Sequence, residues 1–381
     1  MSRLDELIKE RCPEGIPYLQ ISDVTKYEQP SKYIVKSTKY DDSYSTPVLT
    51  AGQTFILGYT DEIDGIYEAS KENPVIIFDD FTAALKWVDF PFKVKSSAMK
   101  IITADEKQIS LRYLYYIMDN IGYSSSEHKR LWISTYSGLK IPVPPLDVQN
   151  EIVQILDNFA ELTAELTAEL SNRKKQYEYY RDLLLNFSKN EERGVRWVSI
   201  EDICEISRGY VMSKDFIRNN AGEYPVYSSQ TENNGMLGRI NSYRYDGEYL
   251  TWTTDGANAG TVFRRSGKFS VTNVCGLLKV TDPTVSIDYL YYILSNTAKR
   301  YVNSGMGNPK LMSNVMARIK VPIPDNKEQQ RIVDVLDRFD KLTSDISEGL
   351  PAEIEARGKQ YAYYRDKLLS FKELETEMKN A

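Results

Sequence analysis

A chain of 381 residues is long enough for two domains with separate cores, and 41% apolar with 27% charged residues describes a folded protein. The opening MSRLDELIKERCPEG lacks the apolar stretch of a secretory signal, and no run of about 18 apolar residues follows. Cys12, Cys204 and Cys275 are too few and scattered for a disulfide or zinc framework, so reduced thiols and a cytoplasmic setting are expected. The net charge of −6 disfavours indiscriminate polyanion binding, but it is uneven: residues 193–320 carry 16 Lys and Arg against 11 Asp and Glu, whereas 141–192 carry 5 against 10.

In chain order, residues 1–140 read as a first globular part. Asn73-Pro74-Val75-Ile76-Ile77-Phe78 is a short buried strand entered through a turn, and 110–119 is a helix. After Pro144-Pro145 the periodicity changes. Ile152, Ile155, Leu156, Phe159, Leu162, Leu166 and Leu170 recur at spacings of three and four, predicting one amphipathic helix over 147–187, capped by Asp147 and about 60 Å long. Residues 191–320 form a second globular part, with a strand at Gly247-Glu248-Tyr249-Leu250-Thr251-Trp252 and a helix at 286–296. The distal segment 321–381 repeats the stripe as Ile332, Val335, Leu336, Phe339, Leu342 and Ile346. Glu348-Gly349-Leu350-Pro351 then predicts a break and a restart at Pro351, because an internal proline removes a hydrogen bond and clashes with the preceding turn.

The chain is one module written twice. Residues 149–163 match 329–343 at 8 of 15 positions, 173–187 match 357–371 at 11 of 15, and 110–118 match 286–294 at 6 of 9. The fold class expected is α+β: two tandem α+β domains, 1–140 and 191–320. They are joined by helical spacers, 141–190 and 321–381, whose long helices pair as an antiparallel coiled coil with a pseudo-twofold. Two unrelated bundle helices are the alternative.

Catalytic chemistry finds little to stand on. His128 is the only histidine, so every Ser-His, Cys-His or two-His scheme would need it, and it sits in a polar loop without an acidic orienter. No phosphate-cradling G-x-x-x-x-G-K-[ST] motif occurs, and no metal-ligand spacing. The expected catalytic and metal residues are none.

Lys140-Ile141-Pro142-Val143-Pro144-Pro145-Leu146, followed by Gln149 and Ile152-Val153, closely resembles the conserved regions of type I restriction-modification specificity (S) subunits. So does Ile319-Lys320-Val321-Pro322-Ile323-Pro324 with Gln329 and Ile332-Val333. The tandem Thr163-Ala164-Glu165-Leu166 and Thr167-Ala168-Glu169-Leu170 looks most like the IC subfamily. The resemblance covers the whole chain. It implies a non-catalytic subunit that reads a bipartite site in double-stranded DNA, binds two adenine-N6 methyltransferase (M) subunits, and through them recruits restriction (R) subunits. S-adenosylmethionine, ATP and Mg²⁺ would belong to those partners. The alternative is a free-standing DNA-binding regulator or a coiled-coil scaffold.

Phosphate contacts fix register and base-edge contacts carry sequence. Candidate DNA-binding residues of the second part are Arg264, Arg265 and Lys268 in an apparent hairpin, Arg239 and Arg244, and Tyr227, Ser229, Gln230, Asn233 and Asn234 in a polar loop. Asn308 and Lys310, in a glycine-containing loop, complete this set. In the first part they are Lys129, Arg130, Trp132 and Tyr136. Solvated charged faces and ordinary turns compete with each assignment. Thr163, Leu166, Thr167 and Leu170 are the expected spacer residues. The repeated Tyr177 and Tyr361, Tyr180 and Tyr364, Arg181 and Arg365, and Leu184 and Leu368 are candidates for docking one partner subunit per half, against a competing role in packing the helix ends on the globular parts.

Overall fold

The computed structural model describes residues 3–51, 54–123, 129–187, 194–305, 307–344 and 349–374. His128, Glu127, Met306, Ile346 and Glu348 lie outside the described residues. The chain divides into two compact units, residues 1–166 with 354–381, and residues 167–353. Each unit therefore takes helix from both copies of the helical repeat.

The first unit contains α1 (Arg3–Arg11), β1 (Tyr18–Gln20), α2 (Ile21–Val24), β2 (Thr25–Glu28), β3 (Thr46–Leu49), β4 (Ile56–Thr60), β5 (Val75–Asp79), β6 (Leu85–Val88), β7 (Lys93–Val94), β8 (Met99–Ala104), α3 (Leu111–Ile121) and β9 (Lys140–Pro142). It also holds α4 (Leu146–Leu185) as far as Leu166. Strands pair in the orders β2-β8-β5-β6, β4-β3-β7 and β1-β9. The predicted strand at 73–78 is β5, buried along its whole length. Alternation explains why: Ile76 and Phe78 pack with α3 and α4 on one face, while Val75 and Ile77 join Val88, Phe92 and Val94 on the other. Ser110 caps α3 by accepting from Tyr113 N, and Gly122 ends it at φ 57°.

The second unit contains β10 (Arg196–Ser199), α5 (Ile200–Ile203), β11 (Cys204–Arg208), α6 (Lys214–Asn219), β12 (Ala221–Tyr227), β13 (Met236–Ile240), β14 (Tyr245–Asp246), β15 (Tyr249–Thr253), β16 (Val262–Arg265), β17 (Lys268–Val271), β18 (Cys275–Val280), α7 (Ile287–Thr297), α8 (Ser313–Ala317), β19 (Lys320–Ile323) and α9 (Asn326–Ser344). Its sheets are β11-β18-β15-β16, β13-β12-β17-β14 and β10-β19. The apparent hairpin of Arg264, Arg265 and Lys268 is not one. β16 pairs with β15 and β17 with β12 and β14, so Ser266-Gly267 joins two different sheets.

The amphipathic stripe is realised as one helix, α4, of 40 residues. In the distal copy α9 stops at Ser344 and α10 (Leu350–Leu368) starts one residue before Pro351, where proline's fixed φ suits a first turn. Within the first unit α10 runs antiparallel to α4. Tyr361 and Tyr364 lie against Phe159, while Phe371 O accepts from the hydroxyl of Tyr18, a residue paired with Pro142 just ahead of α4.

Two buried glutamines repeat the same lock. Gln149 Oε1 accepts from Ser110 N at 2.9 Å, and its Nε2 donates to Gln108 O at 2.9 Å and Pro144 O at 2.7 Å. Gln329 accepts from Ser286 N at 2.8 Å and donates to Thr284 O at 2.9 Å and Pro324 O at 2.8 Å. One amide thus ties the entry of the long helix to the N-cap of the short helix, satisfying three backbone groups no ladder serves. Among the described residues no helix is long and apolar enough to cross a membrane.

Candidate nucleic-acid interface

The second unit exposes cations laid on aromatic rings. Lys268 Nζ stands 4.7 Å over Tyr243, which meets Tyr224 edge-on at 4.9 Å, and the Arg244 guanidinium lies 3.4 Å over Tyr210. Arg239 Nη1 donates to Glu223 O at 2.6 Å. Asn233 and Asn234 are exposed in the left-handed region (φ 50° and 53°), which asparagine tolerates. Ser229 and Gln230 are half-buried, and Gln230 Nε2 donates to Met236 O. Asn308 and Lys310 are exposed beside a cleft of about 400 Å³ lined by Arg208, Asp255, Asn273 and Lys310. There Arg208 Nη2 donates to Thr254 Oγ1 at 3.0 Å and lies 3.7 Å from Asp255, while Lys310 Nζ is 3.6 Å from the other oxygen of the same carboxylate. Arg208, Tyr210 and Asn273 were missed from sequence. The one usable signal was Gly209, which sits against the carbonyls of Val271 and Thr272 with no room for a Cβ.

Three sequence candidates lie inside the fold, and a fourth, Arg264, is half-buried and paired. Arg265 is 4% exposed, donates Nε to Thr251 Oγ1 at 3.1 Å and lies 3.6 Å over Tyr227, covering one face of that ring. Burial pushes its pKa down to about 10. Arg264 is taken up by Asp288 (3.1 Å) and Asp337 (3.2 Å). Trp132 and Tyr136 are core residues: their rings pack on Phe78 at 5.1 and 4.7 Å, and Tyr136 donates its hydroxyl to Met118 O. Leu131 N donates to Asp80 O, which pulls this turn into the core and leaves Lys129 and Arg130 outside. In a strand successive side chains point to opposite faces, so Arg264 and Arg265 of β16 cannot both face one side.

The arginine that sequence assigned to DNA instead helps hold helix to domain. Asp157 on α4 accepts from Tyr116 Oη at 2.5 Å and Arg112 Nε at 2.8 Å. Asp337 on α9 accepts from Tyr292 Oη at 2.5 Å and Arg264 at 3.2 Å. The tyrosines and aspartates are repeat equivalents; the arginines are not. Ile76 pairs with Trp87 as Leu250 pairs with Arg264, so Arg264 occupies the Trp87 station, and Asp288 occupies that of Arg112. Burial and the bond to the aspartate raise both tyrosine pKa values.

The repeated helix ends carry two faces. Tyr177 and Tyr180 rest on Phe339 at 6.3 and 5.7 Å; Tyr361 and Tyr364 rest on Phe159 at 6.4 and 5.6 Å. Leu184 and Leu368 also pack on the cores. Burial pushes Tyr177 up to about 12. Arg181 pairs with Asp182 and Arg365 with Asp366. The outer face is led by Tyr179 and Tyr363, each 64% exposed and edge-on to its neighbour at 5.4 Å. Both were missed, although their identity in the two copies and their position off the apolar stripe were visible. In the spacer, Thr163 Oγ1 donates to Phe159 O, Leu166 and Leu170 are half-buried, and the boundary between units falls between Leu166 and Thr167.

The family model for the type I restriction modification DNA specificity domain matches twice, at residues 13–175 and 192–356. The chain is 42% identical over 405 aligned positions to the EcoR124I/EcoR124II specificity subunit of Escherichia coli, covering 99% of both chains. It is 44% identical over 236 positions to the specificity subunit S.MpnORF615P, described as putative, of Mycoplasma pneumoniae (59% of this chain, 91% of the relative). Among solved structures, an S subunit of a type I restriction-modification system from M. genitalium shares the fold at TM-score 0.63 and 15% identity, covering 93% and 96%.

Proposed function

The chain belongs to the type I restriction modification DNA specificity family, as a specificity subunit with two recognition domains, and on that premise we propose that each globular part reads one half of a bipartite site in double-stranded DNA. Residues 1–140 and 191–320 are the readers, and 141–190 and 321–381 are the spacers that fix the gap and dock the partners. The chain is non-catalytic. Two adenine-N6 methyltransferase subunits carry out modification, restriction subunits join through them, and S-adenosylmethionine, ATP and Mg²⁺ act in those cytoplasmic partners.

The observation that carries this reading is one interior frame built twice beneath different polar surfaces. The glutamine locks and the tyrosine–aspartate clasps are equivalent in the two copies. The exposed Arg239, Tyr243, Arg244 and Lys268 of the second unit have no such agreement to keep. A shared frame with divergent surfaces suits two half-sites of different sequence. Tyr179 and Tyr363 offer the same aromatic surface once per unit, which suits two copies of one partner.

The test is a genome-wide map of modified adenines in cells expressing this chain with an adenine methyltransferase partner, against cells lacking only this chain. A new motif of two short half-sites around a fixed gap is expected. Identical maps, with both proteins present and associated, would refute the reading.

A further inference from the structure

Backbone pairing puts the two units in register. Asp80 N donates to Ala98 O as Thr254 N donates to Val274 O. Leu131 N donates to Asp80 O as Leu311 N donates to Thr254 O, and Asp105 N to Val24 O as Thr281 N to Ile203 O. The capping boxes at Gln20 and Asp23, and at Ser199 and Asp202, fix the same offset for β2 and β11. Arg130 and Lys310 are therefore equivalent, as are Asp80 and Thr254, Phe81 and Asp255, Gln29 and Arg208, and Lys100 and Gly276.

At this station each unit builds a cation–carboxylate–cation row. In the first, Asp80 lies 3.2 Å from buried Lys100 and 4.0 Å from Arg130. In the second, Asp255 lies 3.7 Å from Arg208 and 3.6 Å from Lys310. The outer cation occupies the same position in both, and its side chain is 53% exposed in each. The carboxylate and the inner cation come from non-equivalent positions. The glutamine locks keep equivalent residues in both copies, and the clasps, whose arginines differ in position, still keep an equivalent aspartate; at this station neither the carboxylate nor the inner cation is retained in place. Here the charge arrangement persists while its residues change, which points to a ligand outside the chain. Two cations against one anion leave the row positive, and in the second unit it opens on the cleft with Asn273, while Lys310 also borders a second hollow lined by Asn303 and Asn308. Arg208 Nε is buried there without a partner.

We infer that this station is where each unit reads a base edge in the major groove, with Arg130 and Lys310 as the specificity-determining residues of the two half-sites. Asp80 and Asp255 position them: the carboxylate restrains a long side chain that would otherwise lose much rotamer freedom on binding. Arginine can take guanine O6 and N7 together, whereas lysine offers a point charge, so the two half-sites differ at this position. The inference rests on the proposed function.

The experiment is the modified-adenine map for Arg130→Gln and Lys310→Gln, each expressed in the full chain with the methyltransferase partner. Both side chains are exposed, so the fold is kept. Each variant is expected to relax one base position of one half-site about tenfold to hundredfold, the worth of a good base contact, and to leave the other half-site and the gap unchanged. Unaltered motifs for both variants would overturn the inference. So would a uniform fall in occupancy at every site with a salt dependence reduced by about one charge, the signature of a phosphate clamp. A wild-type chain that gives no bipartite motif would instead overturn the proposed function.

Discussion

Replacing Gln329 with methionine keeps the side chain's length and approximate volume and removes one amide. Three hydrogen bonds go with it: from Ser286 N, to Thr284 O and to Pro324 O. Each is worth about 1 kcal/mol net. The residue is 1% exposed, so water cannot readily replace the amide, and stranded backbone groups cost more than an exchanged bond. The sum is on the order of 3–5 kcal/mol. For a unit of the size of residues 167–353, roughly 2–4 °C per kcal/mol gives a fall of about 6–20 °C in the melting temperature of that unit. Thermal unfolding of the full chain, followed by circular dichroism, reads this directly. Gln149→Met should do the same to the first unit. Gln330→Met is the control: this neighbouring residue is exposed and its amide donates to Asp334 on the surface, so less than about 0.5 kcal/mol is expected. If Gln329→Met melts within about 2 °C of the unmodified chain, the amide is not what joins helix entry to helix cap.

The clasp is half-exposed, so a double-mutant cycle of Arg264→Ala with Asp337→Ala should give a coupling of about 1 kcal/mol in urea unfolding; additive effects would dissolve the clasp. Cys204 and Cys275 have pKa values pushed up to about 12 by burial, so a thiol reagent at pH 8 should leave both unmodified until the chain is denatured; prompt labelling would contradict their burial. Asp282 is held down at about 2 by hydrogen bonds from Thr284 and Arg196, so its contribution is present above the usual carboxylate value and lost as pH falls towards 2. Asp282→Asn should accordingly lower stability at pH 7 and flatten the acid limb of a stability–pH curve below about pH 4, so that variant and unmodified chain converge towards pH 2; an unchanged acid limb refutes it. Inserting one more Thr-Ala-Glu-Leu unit after Leu170 adds about 6 Å of helix, so the gap between half-sites should grow by one or two base pairs with the half-sites unchanged. Altered half-sites at a constant gap would end the ruler idea.

Much of the architecture was legible because periodicity and repetition are local properties. The α4 stripe, the strand at Val75–Asp79, the helices near 110–119 and 286–296 and the restart near Pro351 each follow from a few neighbouring residues. The duplication needed only comparison of the chain with itself. Of the candidate residues, Lys268, Arg244, Arg239, Arg130 and Lys310 lie on the surface, as a long charged side chain usually does. What sequence could not decide was direction. Arg264 and Arg265 are adjacent and equally basic, yet one is pinned between Asp288 and Asp337 and the other is buried over Tyr227, because a strand sends successive side chains to opposite faces. Trp132 and Tyr136 looked like an aromatic surface until the bond from Leu131 to Asp80 drew their turn inward. The pairing of Lys310 with Asp255, and of Arg130 with Asp80, joins residues about fifty positions apart. Only the sheet register brings such groups within 4 Å, and register is set by the whole core rather than by either residue's neighbours.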